Sequence, residues 1–107
     1  MPNTTKITLY QHCLKLWKKQ HFIHLLQRLE QEQKEYEKSF QLFAVDETNQ
    51  VIHILENRVL KRYEREDMVL LLSVYYMDES CNYQTPFGDF LYYTFTDLLP
   101  EELKLFN

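Results

Sequence analysis

Glycine occurs once in this 107-residue chain, at Gly88, and proline three times. A chain so poor in glycine has little mobile loop. A G-x-x-x-x-G-K phosphate loop or a G-x-G-x-x-G dinucleotide turn needs several glycines, so both are excluded. The length suits one domain spanning residues 1–107 with no linker, and is sufficient to bury a real core. Hydrophobic residues make up 45% and charged residues 26%, which places the chain with globular rather than disordered proteins. Aromatics are the anomaly: eight Tyr, seven Phe and one Trp.

No apolar run approaches the roughly 18–20 residues that cross a bilayer. The longest is Met68 to Leu72, continued past Ser73 by Val74 to Met77. The amino terminus, Met1 to Lys6, lacks an apolar stretch and a small-residue cleavage site, so no secretory signal is expected there. Cys13 and Cys81 lie far apart and outside any C-x-x-C pattern. They read as reduced thiols, with a mutual disulfide as the alternative, and the cytoplasm is the expected compartment.

Periodicity organises the chain into alternating elements. Ile7, Tyr10, Leu14 and Trp17 share one helical face with Cys13 at its edge, while Phe22, Leu25, Leu26, Leu29 and Tyr36 share another. The two faces differ by well over 90°, which predicts a break near Lys18 to His21, one long wrapped helix being the alternative. Phe40 to Val45 and Val51 to Leu55 are rich in β-branched and aromatic residues. The polar loop Asp46 to Gln50 between them predicts a β-hairpin. Arg58 to Met77 reads as one helix with Leu60, Tyr63, Leu70, Val74 and Met77 in register; a strand over Val69 to Tyr76 competes. The last helix has the clearest start: Thr85 as N-cap, Pro86 at the first helical position and Asp89 in the first turn. Glu101 to Phe106 reads as a short terminal turn after Pro100. The expected fold is α+β and helix-dominated, in the order α-α-β-β-α-α with one hairpin.

Residues that commonly carry chemistry form no recognisable site. His21 and His24 sit three apart and could share a metal, but no H-E-x-x-H pattern or acidic partner completes a ligand set. His12 is adjacent to Cys13 and so points about 100° away from it. Cys13 lies beside an apolar stripe, and Cys81 lies among carboxylates; both settings disfavour the thiolate. The consecutive acids Glu66-Asp67, Asp78-Glu79 and Glu101-Glu102 lack the separation hydrolytic pairs need. Ser73 and Ser80 lack the glycine flanks of a nucleophile elbow. The expectation is a non-enzyme without metal or cofactor.

Charge segregation is the feature with functional content. Residues 1–29 hold Lys6, Lys15, Lys18, Lys19 and Arg28 and no acid, whereas residues 66–107 hold eight acids and only Lys104. The acids intermingle with tyrosines, nominating Tyr75, Tyr76, Asp78, Glu79, Tyr83, Asp89, Tyr92, Tyr93, Asp97, Glu101 and Glu102 as a partner-binding surface. Aromatic anchors with a polar rim suit protein recognition, and acidic groups suit a basic protein or nucleoprotein. A two-fold homodimer through the aromatic patch is a second expectation. The alternative is a small helix-turn-helix-like regulator gripping nucleic acid with Lys15, Lys18, Lys19 and Arg28. Its weakness is a basic stripe that supplies few phosphate contacts.

In bulk character, with Lys/Gln/Asn/Tyr-rich usage, a short acidic chain and no catalytic motif, the chain resembles small accessory proteins of phages, plasmids and other mobile elements of low-GC Gram-positive bacteria. That resemblance implies stoichiometric binding. Anti-CRISPR and anti-restriction inhibitors that occlude a nucleic-acid channel with acidic surface are examples.

Overall fold

The computed structural model describes the backbone of residues 2–77 and 84–95 and the side chains of 9–75 and 84–95. Within them the chain forms α1 (Pro2–Leu16), α2 (Lys19–Tyr36), β1 (Phe40–Asp46), β2 (Val51–Glu56), β3 (Val59–Tyr63), α3 (Arg65–Met77) and α4 (Pro86–Phe95). The fold is α+β, with four helices and one antiparallel sheet in the order β1-β2-β3 among the described residues. The expected helix from Arg58 to Met77 is divided: its first part is a third strand, and α3 begins only at Arg65. The cause is the pair Asn57 and Arg58, at φ 52° and 65°. Two consecutive positive φ values make the two-residue turn that matches strand twist and closes a hairpin. Leu60 and Tyr63 therefore belong to β3 rather than to a helical face. The buried side of α3 is Met68, Val69 and Leu72, while Leu70 is 51% exposed.

The break between the first two helices falls where the two faces diverge. Trp17 and Lys18 separate α1 from α2. Among the described side chains, Leu9 and Cys13 of α1 form one buried stripe with Trp17 just past its end, so Cys13 sits within the stripe rather than at its edge. Burial pushes its thiol pKa up to about 11, and the sulfur behaves as a small hydrophobe. Trp17 fixes this corner to the sheet: its indole N–H donates to Gln50 Oε1 at 2.8 Å, in the loop joining β1 to β2.

Helices cover one face of the sheet. Phe40, Ile52 and Ile54 on that face join Phe22, Leu25 and Leu29 of α2 and Phe87, Phe90, Leu91 and Phe95 of α4 in a single core. Among the described residues, nine aromatics lie in this core or pack against it. Phe40 meets Phe87 and Phe90 at 5.6 and 5.7 Å, Tyr63 meets Phe87 at 4.8 Å, and Trp17 packs edge-on to Phe95 at 5.1 Å. Such contacts add about 0.5–1.5 kcal/mol each beyond their buried area. Among the described residues, no helix is long and apolar enough to cross a membrane.

The α1–α2 corner carries a pH-sensitive joint. The Lys18 N–H donates to His21 Nδ1 at 2.9 Å, closing the first turn of α2. That bond requires a bare Nδ1, and burial followed by the Lys18 charge lowers the His21 pKa from 6.5. The neutral imidazole is thus the form the fold prefers. Its contribution is complete above the ordinary imidazole pKa and is lost as pH falls below about 6.5. Urea melts from pH 8 to pH 5 are expected to show stability declining over this window. A His21→Gln variant, which keeps an acceptor three residues into the helix, is expected to flatten that decline. An identical slope in both proteins would remove His21 as its source.

Candidate interaction surface

The start of α4 is where several of the nominated residues meet. Thr85 caps the helix, its Oγ1 accepting the Gly88 N–H at 3.0 Å, as the Thr-Pro-x-x-Asp pattern anticipates. The Phe87 N–H, the next orphan donor of that turn, is taken by Glu56 Oε2 at 2.8 Å. Glu56 is fully buried at the end of β2, and its other oxygen accepts Lys61 Nζ at 2.8 Å and the Tyr63 hydroxyl at 3.2 Å. Burial and this carboxylate push the Tyr63 phenol well above its usual pKa. Sequence reasoning missed Glu56, because a lone acid at a strand end carries no signal until the packed helix is known.

Tyr75 and Asp89 belong to the same internal network. The Tyr75 hydroxyl accepts the Thr85 N–H at 2.8 Å and lies 3.1 Å from Asp89 Oδ1, to which it can donate. Both are half-buried and tie α3 to the first turn of α4. Tyr92 is half-buried with its ring 5.9 Å from Tyr75, whereas Tyr93 is 64% exposed and edge-on to Tyr92 at 5.5 Å. Asp78, Glu79, Tyr83, Asp97, Glu101 and Glu102 lie outside the described residues, as do the Tyr76 side chain, Cys81 and the expected terminal turn. Of the nominated aromatic and acidic residues described, Tyr93 alone is open to solvent.

Of the basic residues, Lys15, Lys18 and Lys19 are exposed around the α1–α2 corner. Arg28 is half-buried and bound to Glu32 at 3.0 Å, one helical turn on. The two helices pack on different partners, α1 on α3 and α2 on β1 and α4, rather than as one compact pair. His21 and His24 both face the Phe95 ring, at 6.1 and 6.2 Å. No group of three or more metal-binding side chains gathers among the described residues.

Sequence patterning did not reveal the most exposed apolar surface, which lies on the sheet. Antiparallel sheets that face water usually alternate apolar and polar residues. Here the side away from the helices carries Gln41, Ala44, His53, Leu55, Leu60 and Arg62, all exposed or half-buried. Leu55 and Leu60 face each other across β2 and β3. A β-bulge interrupts β1 between Leu42, paired with Ile54, and Ala44, paired with His53. The extra residue is Phe43, whose side chain is 70% exposed. Leu60 adds an exposure of 51% on this side, whereas Val45 and Val59, 37% and 54% exposed, pair with the buried Ile52 and Glu56 and lie at the rims of the helix-facing side. The signal available in the sequence was Phe40 to Val45 itself, a strand with too many apolar residues for a one-sided sheet. No known protein family matches the chain, and neither a curated protein nor a solved structure is significantly similar to it.

Proposed function

We propose that the chain is a non-catalytic binding protein that acts by stoichiometric association with another protein or nucleoprotein in the cytoplasm. The observation that carries this reading is the uncovered side of the sheet. Phe43, more exposed than any other large hydrophobic residue described, stands at a bulge amid Ala44, Leu55 and Leu60. The core is complete without it. An exposed aromatic anchor rimmed by Gln41, His53 and Arg62 has the make-up of a protein-recognition surface. Inhibition of a host defence complex, as in anti-CRISPR proteins, is a role that such stoichiometric binding can serve.

Tyr93 favours a second contact surface, the acidic and aromatic side first suggested by the charge distribution. Co-purification separates the two. Phe43→Ser is expected to lose the partner captured by the wild-type chain. If Tyr93→Ser or the Asp78→Asn/Glu79→Gln/Asp97→Asn variant loses it instead, the acidic side is the contact. Equal recovery with all three variants would remove both surfaces. The nucleic-acid alternative has three exposed lysines behind it, since Arg28 is engaged with Glu32. A gel shift at low salt showing no complex would end it.

A further inference from the structure

We propose that a second copy of the chain pairs with the open edge of β3, forming a two-fold dimer with a continuous six-stranded sheet. The proposal is independent of the reading above, because it uses the strand's edge and the turn before it. In the Asn57–Arg58 hairpin, Glu56 and Val59 close the turn as a hydrogen-bonded pair. The antiparallel ladder then alternates, so Val59, Lys61 and Tyr63 turn their N–H and C=O groups toward β2. Leu60 and Arg62 turn theirs outward, where no described strand pairs with them. Val59, Leu60 and, on the neighbouring α3, Leu70 are each more than half exposed along this edge. An edge strand with unpaired backbone groups is a pairing template, and β3 offers five residues, apolar at Val59 and Leu60 and cationic at Lys61 and Arg62.

Charge selects both the occupant and the register. With the two-fold axis at Lys61, Leu60 lies opposite Arg62 of the second copy, and their outward backbone groups meet as hydrogen-bonded pairs. Val59 then faces Tyr63 of the second copy, an apolar cross-strand pair. Just beyond the strand ends Arg58 comes opposite Glu64 of the second copy, twice by symmetry, adding a second cation to a carboxylate that already binds Arg62 of its own chain at 2.6 Å. Moving the axis to Leu60 sets Arg58 against Arg62, and moving it to Arg62 sets that arginine against itself. Both alternatives break the Arg58–Glu64 pair and place exposed arginines directly opposite one another, Arg62 being held by Glu64 of its own chain at 2.6 Å. The two Lys61 side chains that meet at the axis are each neutralised by the buried Glu56 of their own chain, 2.8 Å away. The far edge of the sheet is blunted by the Phe43 bulge, so the assembly closes at two copies instead of extending as a fibre.

Sedimentation velocity of the full chain over rising concentration tests the proposal. The wild type is expected to move from monomer to dimer. Arg58→Asp, chosen because Asp tolerates positive φ, is expected to weaken the dimer about tenfold or more. Glu64→Lys is expected to do the same, and the double variant Arg58→Asp/Glu64→Lys to restore association. Leu60→Pro removes an outward N–H without touching the β2–β3 ladder and is expected to abolish it. Circular dichroism checks that each variant is folded. A wild type that stays monomeric at millimolar concentration overturns the proposal. So does a dimer insensitive to Arg58→Asp and Leu60→Pro, or a charge swap that fails to restore pairing.

Discussion

Replacing Glu56 by alanine is expected to destabilise the protein by about 3–5 kcal/mol, the range seen when one partner of a buried charged pair is removed. Glu56 is fully buried, and its carboxylate joins β2 to two other elements, to Lys61 and Tyr63 of β3 and to the Phe87 N–H at the start of α4. Alanine leaves that N–H and the Tyr63 hydroxyl without an acceptor and opens a cavity beside Phe87. Each orphaned group costs about 1–3 kcal/mol. Lys61, 36% exposed in its side chain, can turn to water and adds less. Glu56→Gln keeps an acceptor but not the charge, and is expected to fall near half the alanine effect. Urea unfolding of the two variants measures both. A loss below about 1 kcal/mol for Glu56→Ala would mean that the carboxylate does not hold α4 in place.

The second large effect is expected at Gly88→Ala. Helix propensity alone favours alanine by about 1 kcal/mol. Space decides the other way. A Cβ at Gly88 would stand 2.6 Å from the Tyr75 hydroxyl, 2.8 Å from Thr85 Oγ1 and 2.8 Å from Tyr75 Cε2. Tyr75 cannot retreat without giving up the Thr85 N–H, and Thr85 cannot retreat without giving up its cap. Overpacking of about 1–3 kcal/mol and one lost hydrogen bond of about 1 kcal/mol outweigh the propensity gain. The expected net loss is about 1–3 kcal/mol, read from the same melts. Tyr75→Phe in the Gly88→Ala background is expected to relieve part of the clash, giving non-additive effects. The chain's single glycine is thus placed by a close approach between α3 and α4 rather than by a turn.

Local signals were legible where they depend on neighbouring residues alone. The start of α4 follows from Thr85, Pro86 and Asp89, the hairpin from the polar loop after Asp46, and the helix break from the divergence of two apolar faces around Trp17. β3 was not legible, because its turn uses Asn57 and Arg58 at positive φ with no glycine to announce it. Without that turn, Leu60, Tyr63 and Leu70 happen to fit a helical register. The candidate surface was less accessible still. Charge and tyrosine content nominated Tyr75 and Asp89, and only the packed structure reveals that their polar groups face each other across α3 and α4. Phe43 follows Phe40 and Leu42 in the alternation and so faces away from the core, and the bulge after Leu42 brings Ala44 to the same side, which the sequence does not announce.

The proposed function requires that the outer side of the sheet add nothing to the stability of the fold. Urea unfolding of Phe43→Ser measures this directly. The expected stability is that of the wild type within about 0.5 kcal/mol, as for surface substitutions away from special features. A loss of about 3 kcal/mol or more, the signature of a truncated core phenylalanine, would contradict it.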